Sequence, residues 1–177
     1  MGRLIETVKK IMVEEGMSFT VPESYPQIVT SYIRFLGNRY YLIFREYEDI
    51  EVLQMQIVSP MPAVPPESRL AVSLFLTRLN MRFKLGFLGL DMEDGEVIFR
   101  MGVDLEGMQL LEKNVMNMVR CGVQTIDNYF PGIMSICYGG KTDLEALKEL
   151  DENRVGVELQ LAVNSTDAAP QEHEGNR

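Results

Sequence analysis

The sequence predicts an α+β domain, with helices packed against an antiparallel sheet in the order α-βββ-α-ββ-α. Two observations predict it. Alternating apolar and polar stretches flank two short hairpin signals, Gly37-Asn38 and Asp94-Gly95. Between and around them, three longer stretches place apolar residues at helical spacing. Together they describe a layer of helices over one sheet.

The first helix is Arg3–Glu15. Leu4, Ile5, Val8, Ile11 and Met12 form its stripe, and Gly16 stops it. Met17–Val21 offers a short edge strand before Pro22. Val29–Leu36 and Arg39–Tyr47 follow as a hairpin. A Gly37-Asn38 loop pairs Phe35 with Tyr40, Arg34 with Tyr41, and Ile33 with Leu42. Ile33, Phe35, Tyr40, Leu42 and Phe44 then share one face, and Tyr32, Arg34, Tyr41, Ile43, Arg45 and Tyr47 share the other.

Ile50–Val58 is the third strand of the meander, with Leu53, Met55 and Ile57 alternating against Gln54 and Gln56. The proline-rich stretch Ser59–Pro66 excludes a helix interior or central strand and serves as a stiff connector. Glu67–Met81 is the second helix, with a stripe of Leu70, Ala71, Leu74, Phe75 and Leu79, while Arg69, Thr77 and Arg78 face away. Lys84–Glu93 and Glu96–Asp104 form the second hairpin around Asp94-Gly95, pairing Leu90 with Phe99 and Leu88 with Met101. Its two-residue loop sets Glu93 against Glu96, a like-charge pair that a longer loop would relieve.

Met108–Phe130 is the longest helix, and Pro131-Gly132 ends or kinks it. Ile133–Tyr138 is short and apolar. Thr142 and Glu145 fit a capping box that opens a small helix through Leu150. Residues 1–152 therefore read as one domain and 153–177 as a C-terminal extension. In that extension Val155–Val163 is apolar enough to dock or form a strand, and the polar Asn164–Arg177 has the composition of a disordered tail.

Composition narrows the function. With 46% hydrophobic and 24% charged residues the chain is globular. It lacks both a membrane-length apolar run and the apolar core of a signal peptide, so the expectation is a soluble cytoplasmic protein with no membrane insertion. A net charge of −9 argues against nucleic acid as the main ligand. Cys121 and Cys137 have no histidine nearby and read as reduced, buried small hydrophobes. The single histidine, His173, lies in the tail, so no Ser–His–Asp arrangement is available. Gly140-Lys141-Thr142 resembles the end of a phosphate-binding loop, but the required earlier glycine is Ser135. Asp91–Glu96 (DMEDGE) fails as a calcium loop, because Gly95 takes its fifth position and Gly102 its twelfth. The expectations are no catalytic residues, no cofactor and no metal.

One surface stands out. Tyr32, Arg34, Tyr41, Arg45 and Tyr47, with Arg100 from the second hairpin, lie on the sheet face opposite the core. Tyrosine and arginine are the residue types enriched at interface hot spots. The 12 methionines are core fillers or adaptable binding surface.

Particular residues also carry a family resemblance. They are Leu76-Thr77-Arg78-Leu79-Asn80, Gly89-Leu90-Asp91 with Asp94-Gly95-Glu96-Val97, and Asp127-Asn128-Tyr129-Phe130-Pro131-Gly132. With the element order, they make about Arg3–Tyr138 similar to the YbjN-like family of proposed sensory transduction regulators, and the fold similar to that of type III secretion chaperones. The resemblance implies a small acidic, non-enzymatic protein, often a homodimer, that works by binding a protein partner. A small-molecule sensor with a pocket between the long helix and the sheet is the alternative.

Overall fold

A computed structural model describes residues 2–153. It confirms the α+β class: one six-stranded sheet in the order β1-β2-β3-β4-β6-β5, all pairs antiparallel, with helices on one face. The strands are β1 (Phe19–Thr20), β2 (Ile28–Phe35), β3 (Asn38–Tyr47), β4 (Val52–Val58), β5 (Phe87–Leu90) and β6 (Val97–Asp104). The helices are α1 (Arg3–Glu14), α2 (Arg69–Asn80), α3 (Glu112–Gly139) and α4 over 143–153. The expectations for Val155–Val163 and for Asn164–Arg177 lie outside the described residues.

α1 closes as Gly16 suggested. Gly16 takes φ +66°, its N–H bonds the Val13 carbonyl at 3.1 Å, and the Met17 N–H bonds the Met12 carbonyl at 2.7 Å. These are the two bonds of a Schellman motif. They turn Gly16-Met17 back onto the helix, so β1 begins late and pairs only Phe19 with Ser31 and Thr20 with Thr30.

Both hairpins are present, and both slip from the expected register. The first turns on Leu36-Gly37, with positive φ at both residues as a type I′ turn requires, and pairs Ile33 with Tyr40 and Tyr32 with Tyr41. In the second, a six-residue loop over Asp91–Glu96 replaces the two-residue turn, pairing Leu90 with Val97 and Leu88 with Phe99. The Asp91 N–H bonds the Glu96 carbonyl and the Gly95 N–H bonds the Asp91 carbonyl, each at 2.9 Å. The longer loop removes the Glu93–Glu96 opposition. Each slip moves a pairing by two residues, which leaves every side chain on its expected face.

Three further expectations need correction. Pro131 does not end the long helix. α3 runs through it for 28 residues, about 42 Å. It starts at Glu112 rather than Met108, because the preceding loop is held elsewhere: Leu105 N–H on the Glu51 carbonyl, Gly107 N–H on the Glu51 carboxylate, and the Arg3 guanidinium on the Met108 carbonyl. The α2 stripe is rotated, burying Val72, Phe75, Leu76 and Leu79 and leaving Leu70 and Leu74 exposed. Arg69 explains the rotation. Instead of facing away, it donates to the carbonyls of Val64, Met92 and Glu93, tying the proline-rich connector to the second hairpin loop. Finally, Cys121 and Cys137 are half-buried rather than buried.

The core lies between sheet and helices. Tyr40, Leu42, Phe44, Leu53, Met55, Ile57 and Phe99 are fully buried beneath α1, α2 and α3. Where α3 crosses the sheet, Gly122 lies directly on Ile57 and Phe99. The middle of the helix–sheet interface is therefore filled.

Candidate functional site

The outward face of the sheet carries all six expected residues. Alternation puts them there, and strand pairing sets their neighbours. Tyr32 and Tyr41 are directly opposed across β2 and β3, their rings 4.9 Å apart and tilted by 40°. Arg34 follows on β2, opposite Arg39 on β3. Arg100 lies two strands away beside Gln56 and Phe87, and Arg45 and Tyr47 occupy the far end of β3. The structure thus gathers Tyr32, Arg34 and Tyr41 into one cluster and places Arg45, Tyr47 and Arg100 apart from it on the same face.

Arg39 completes the cluster. Its guanidinium lies 3.8 Å from the centroid of the Tyr32 ring, a close cation–π contact. It has the same parity along β3 as Tyr41, so alternation alone would have found it.

The electrostatics are one-sided. Among the described residues no ion pair engages Arg34, Arg39, Arg45 or Arg100. Asp104, at the end of β6, is the carboxylate among the paired outward positions. Arg100 donates from Nη2 to Gln56 Oε1 at 2.9 Å, while its Nε is buried without an acceptor. A shallow cleft of about 440 Å³ opens beside this cluster, lined by Thr20, Thr30, Tyr32, Arg34 and Arg39. Among the described residues, this face therefore presents guanidinium groups and aromatic rings.

The groups that suggest other chemistry are occupied structurally. Asp91 Oδ1 accepts from the Glu93 N–H at 2.8 Å, and Asp94 Oδ1 from the Glu96 N–H at 2.7 Å, so DMEDGE builds its own turn. Among the described residues no group of three or more His, Cys, Asp or Glu is placed to hold a metal ion. Thr142 and Glu145 form the expected capping box, and the bonds from Thr142 hold the Glu145 carboxyl below its ordinary pKa. Burial pushes the Cys137 thiol up, away from the thiolate a nucleophile needs. No helix among the described residues is long and apolar enough to cross a membrane.

Comparison with known proteins fits this architecture. The family model described as "Putative bacterial sensory transduction regulator", YbjN, matches residues 4–134, well over half the chain. The chain belongs to the YbjN family. A solved structure described as "Crystal structure of YbjN, a putative transcription regulator from E. coli" is similar in fold. It has a TM-score of 0.50 at 13% identity and covers 68% of this chain and 84% of that one. A search of curated proteins returns no significant match.

In this YbjN-family chain the residues that carried the resemblance build the frame. Asn80 ends α2 by imitating a strand. Its Nδ2 donates to the Leu88 carbonyl at 2.9 Å, and its Oδ1 accepts the Leu88 N–H at 2.8 Å. Asp91 and Asp94 shape the hairpin loop, and Asp127 accepts a hydrogen bond from the buried Tyr40 hydroxyl. The Tyr/Arg face lies outside all of these landmarks.

Proposed function

We propose that this protein is a non-catalytic, protein-binding adaptor or chaperone-like regulator, homodimeric and cytoplasmic, that captures a partner segment on the Tyr/Arg face of its sheet. One observation carries the reading: Arg39 stacked on Tyr32, beside Arg34, with no carboxylate among the described residues paired to either arginine. Rigid aromatic rings with guanidinium groups in no ion pair among the described residues suit an acidic protein surface. Membership of a family described as sensory transduction regulators agrees with a binding role. The alternative, a small-molecule sensor, would use the open groove between β2 and α3, since Gly122 fills only the middle of the helix–sheet interface.

The test is affinity capture from bacterial lysate with the wild-type protein as bait, repeated with Arg34→Glu/Arg45→Glu. The double variant should melt at the wild-type temperature and lose the captured partners. Capture that survives at the wild-type level would remove this face from the proposal. Sedimentation at micromolar concentration tests the dimer, and a single species at the 20.2 kDa of one chain would exclude it.

A further inference from the structure

The two edges of the sheet are finished differently. At β5 the edge is closed by α2, with Asn80 occupying both backbone groups of Leu88. At the other edge β1 covers only Thr30 and Ser31 of β2. Beyond that point, no strand among the described residues pairs with Tyr32–Phe35 on its outer side. The cause is local. The Schellman closure of α1 commits Gly16 and Met17 to the helix end, and the chain rejoins β2 only at Ser18, whose carbonyl accepts the Ser31 hydroxyl at 2.6 Å. An unpaired edge is a template for another strand.

Beside this edge runs an open groove of about 520 Å³ between β2 and the first half of α3. Met17, Ile33, Phe35, Met116, Val119 and Val123 give it an apolar floor. Arg34 and Arg120 stand on its two rims, and its lining contains no acidic residue. Neither arginine takes part in an ion pair among the described residues. A strand laid here would alternate. Its inward side chains would continue the row of Ile33 and Phe35 and meet Met116 and Val119. Its outward ones would lie beside Tyr32 and Arg34.

We propose that this groove binds an extended partner segment that alternates apolar and acidic residues, added as a strand to the outer edge of Tyr32–Phe35. The proposal rests on the protein-binding reading above and names its ligand. The backbone ladder supplies affinity without sequence preference, the methionine-lined floor accepts varied apolar side chains, and the arginine rims select acidic ones.

The probe is a short fluorescent peptide alternating valine with glutamate, titrated by anisotropy against the full chain. It should bind and should protect the amides of Tyr32–Phe35 from hydrogen exchange. Replacing its glutamates by lysine, or inserting a central proline, should each weaken binding by about tenfold or more. Arg120→Glu, an exposed change on α3 away from the sheet face, should weaken it by a similar factor with melting unchanged. Equal affinity for the proline-containing peptide, or no binding at all, overturns the proposal. So does a dimer that Arg120→Glu dissociates, since the groove would then hold a second copy. If lysate partners survive Arg120→Glu yet fall away with Arg34→Glu/Arg45→Glu, the groove assignment fails while the broader reading stands.

Discussion

Glu46 holds the N-terminus of α1 through Ile5: its Oε2 accepts the Ile5 N–H at 2.7 Å, and its Oε1 accepts the Leu4 N–H at 3.1 Å. The helix has no cap of its own, since Gly2 at the N-cap position has no side chain. A carboxylate from the inner face of β3 takes that role. Helix N-termini carry unsatisfied N–H groups and partial positive charge, so a carboxylate there satisfies both. Gly2 suits the same contact, because a Cβ on it would overlap the Glu46 carboxylate and displace it from the helix end.

Glu46→Ala should therefore cost about 2 kcal/mol, combining a lost cap with two amides left in a buried setting. Glu46→Gln keeps one acceptor and should cost less. Urea denaturation measures both. A loss for Glu46→Ala within about 0.5 kcal/mol, typical of an ordinary surface substitution, would show that water caps the helix equally well.

Tyr40 should make stability depend on alkaline pH. Its ring is buried and its hydroxyl donates to Asp127. Burial first, then the Asp127 hydrogen bond and charge, push its pKa well above the ordinary tyrosine value of 10.0. The folded state thus holds the proton more tightly than the unfolded chain. The contribution is complete below about pH 10 and is lost as pH rises above it toward the folded pKa. In absorbance titrations the wild type should retain one tyrosine that ionises only on unfolding, and Tyr40→Phe should lack it. At neutral pH that variant should lose about 1–3 kcal/mol, because Asp127 is left without its donor.

These two ties show what sequence patterning could and could not supply. Alternation placed Tyr40 inward and the six Tyr/Arg residues outward, and a two-residue register slip cannot undo that assignment. It gives Glu46 the inward parity of Tyr40, Leu42 and Phe44 but no reason for an acid there, because that reason is a helix end more than 40 positions away in the chain. Nor could it foresee α3 continuing through Pro131, since the local penalty of proline is outweighed by packing that only the fold reveals, with Gly132 against Phe75 and Ile133 and Ile136 buried beyond it. The α2 stripe failed for a similar reason. Leu70 and Leu74 fit a helical period as well as Val72 and Leu76 do, and the choice is made by Arg69 reaching three distant carbonyls.

Asn80 offers a test of how the β5 edge is closed. Its amide replaces a neighbouring strand at Leu88, so Asn80→Ala frees both backbone groups of that residue at once. The expected cost is about 2 kcal/mol, near the sum of two ordinary hydrogen bonds. Hydrogen exchange should locate it, with the Leu88 amide losing protection while the β3–β4 amides keep theirs. Asn80→Asp should restore only the bond that Oδ1 accepts. Unchanged protection at Leu88 would mean that packing of α2 alone secures the edge.

Two glycines in α3 should respond to alanine with opposite signs. A Cβ on Gly122 would lie 2.6 Å from Ile57 Cδ1 and 2.7 Å from Phe99 Cδ1, both in fully buried side chains. Alanine gains about 1 kcal/mol of helix propensity over glycine, but overpacking a filled core costs about 1–3 kcal/mol. Packing wins where neighbours on the sheet cannot retreat, so Gly122→Ala should be destabilising. Gly139, at the last turn, meets only Ser135 Cβ at an ordinary 3.6 Å. Gly139→Ala should therefore be neutral or stabilising, by up to about 1 kcal/mol. Thermal melts of the two variants decide it. A stabilised Gly122→Ala would mean that α3 can shift away from the sheet, opening the helix–sheet space that Gly122 now fills.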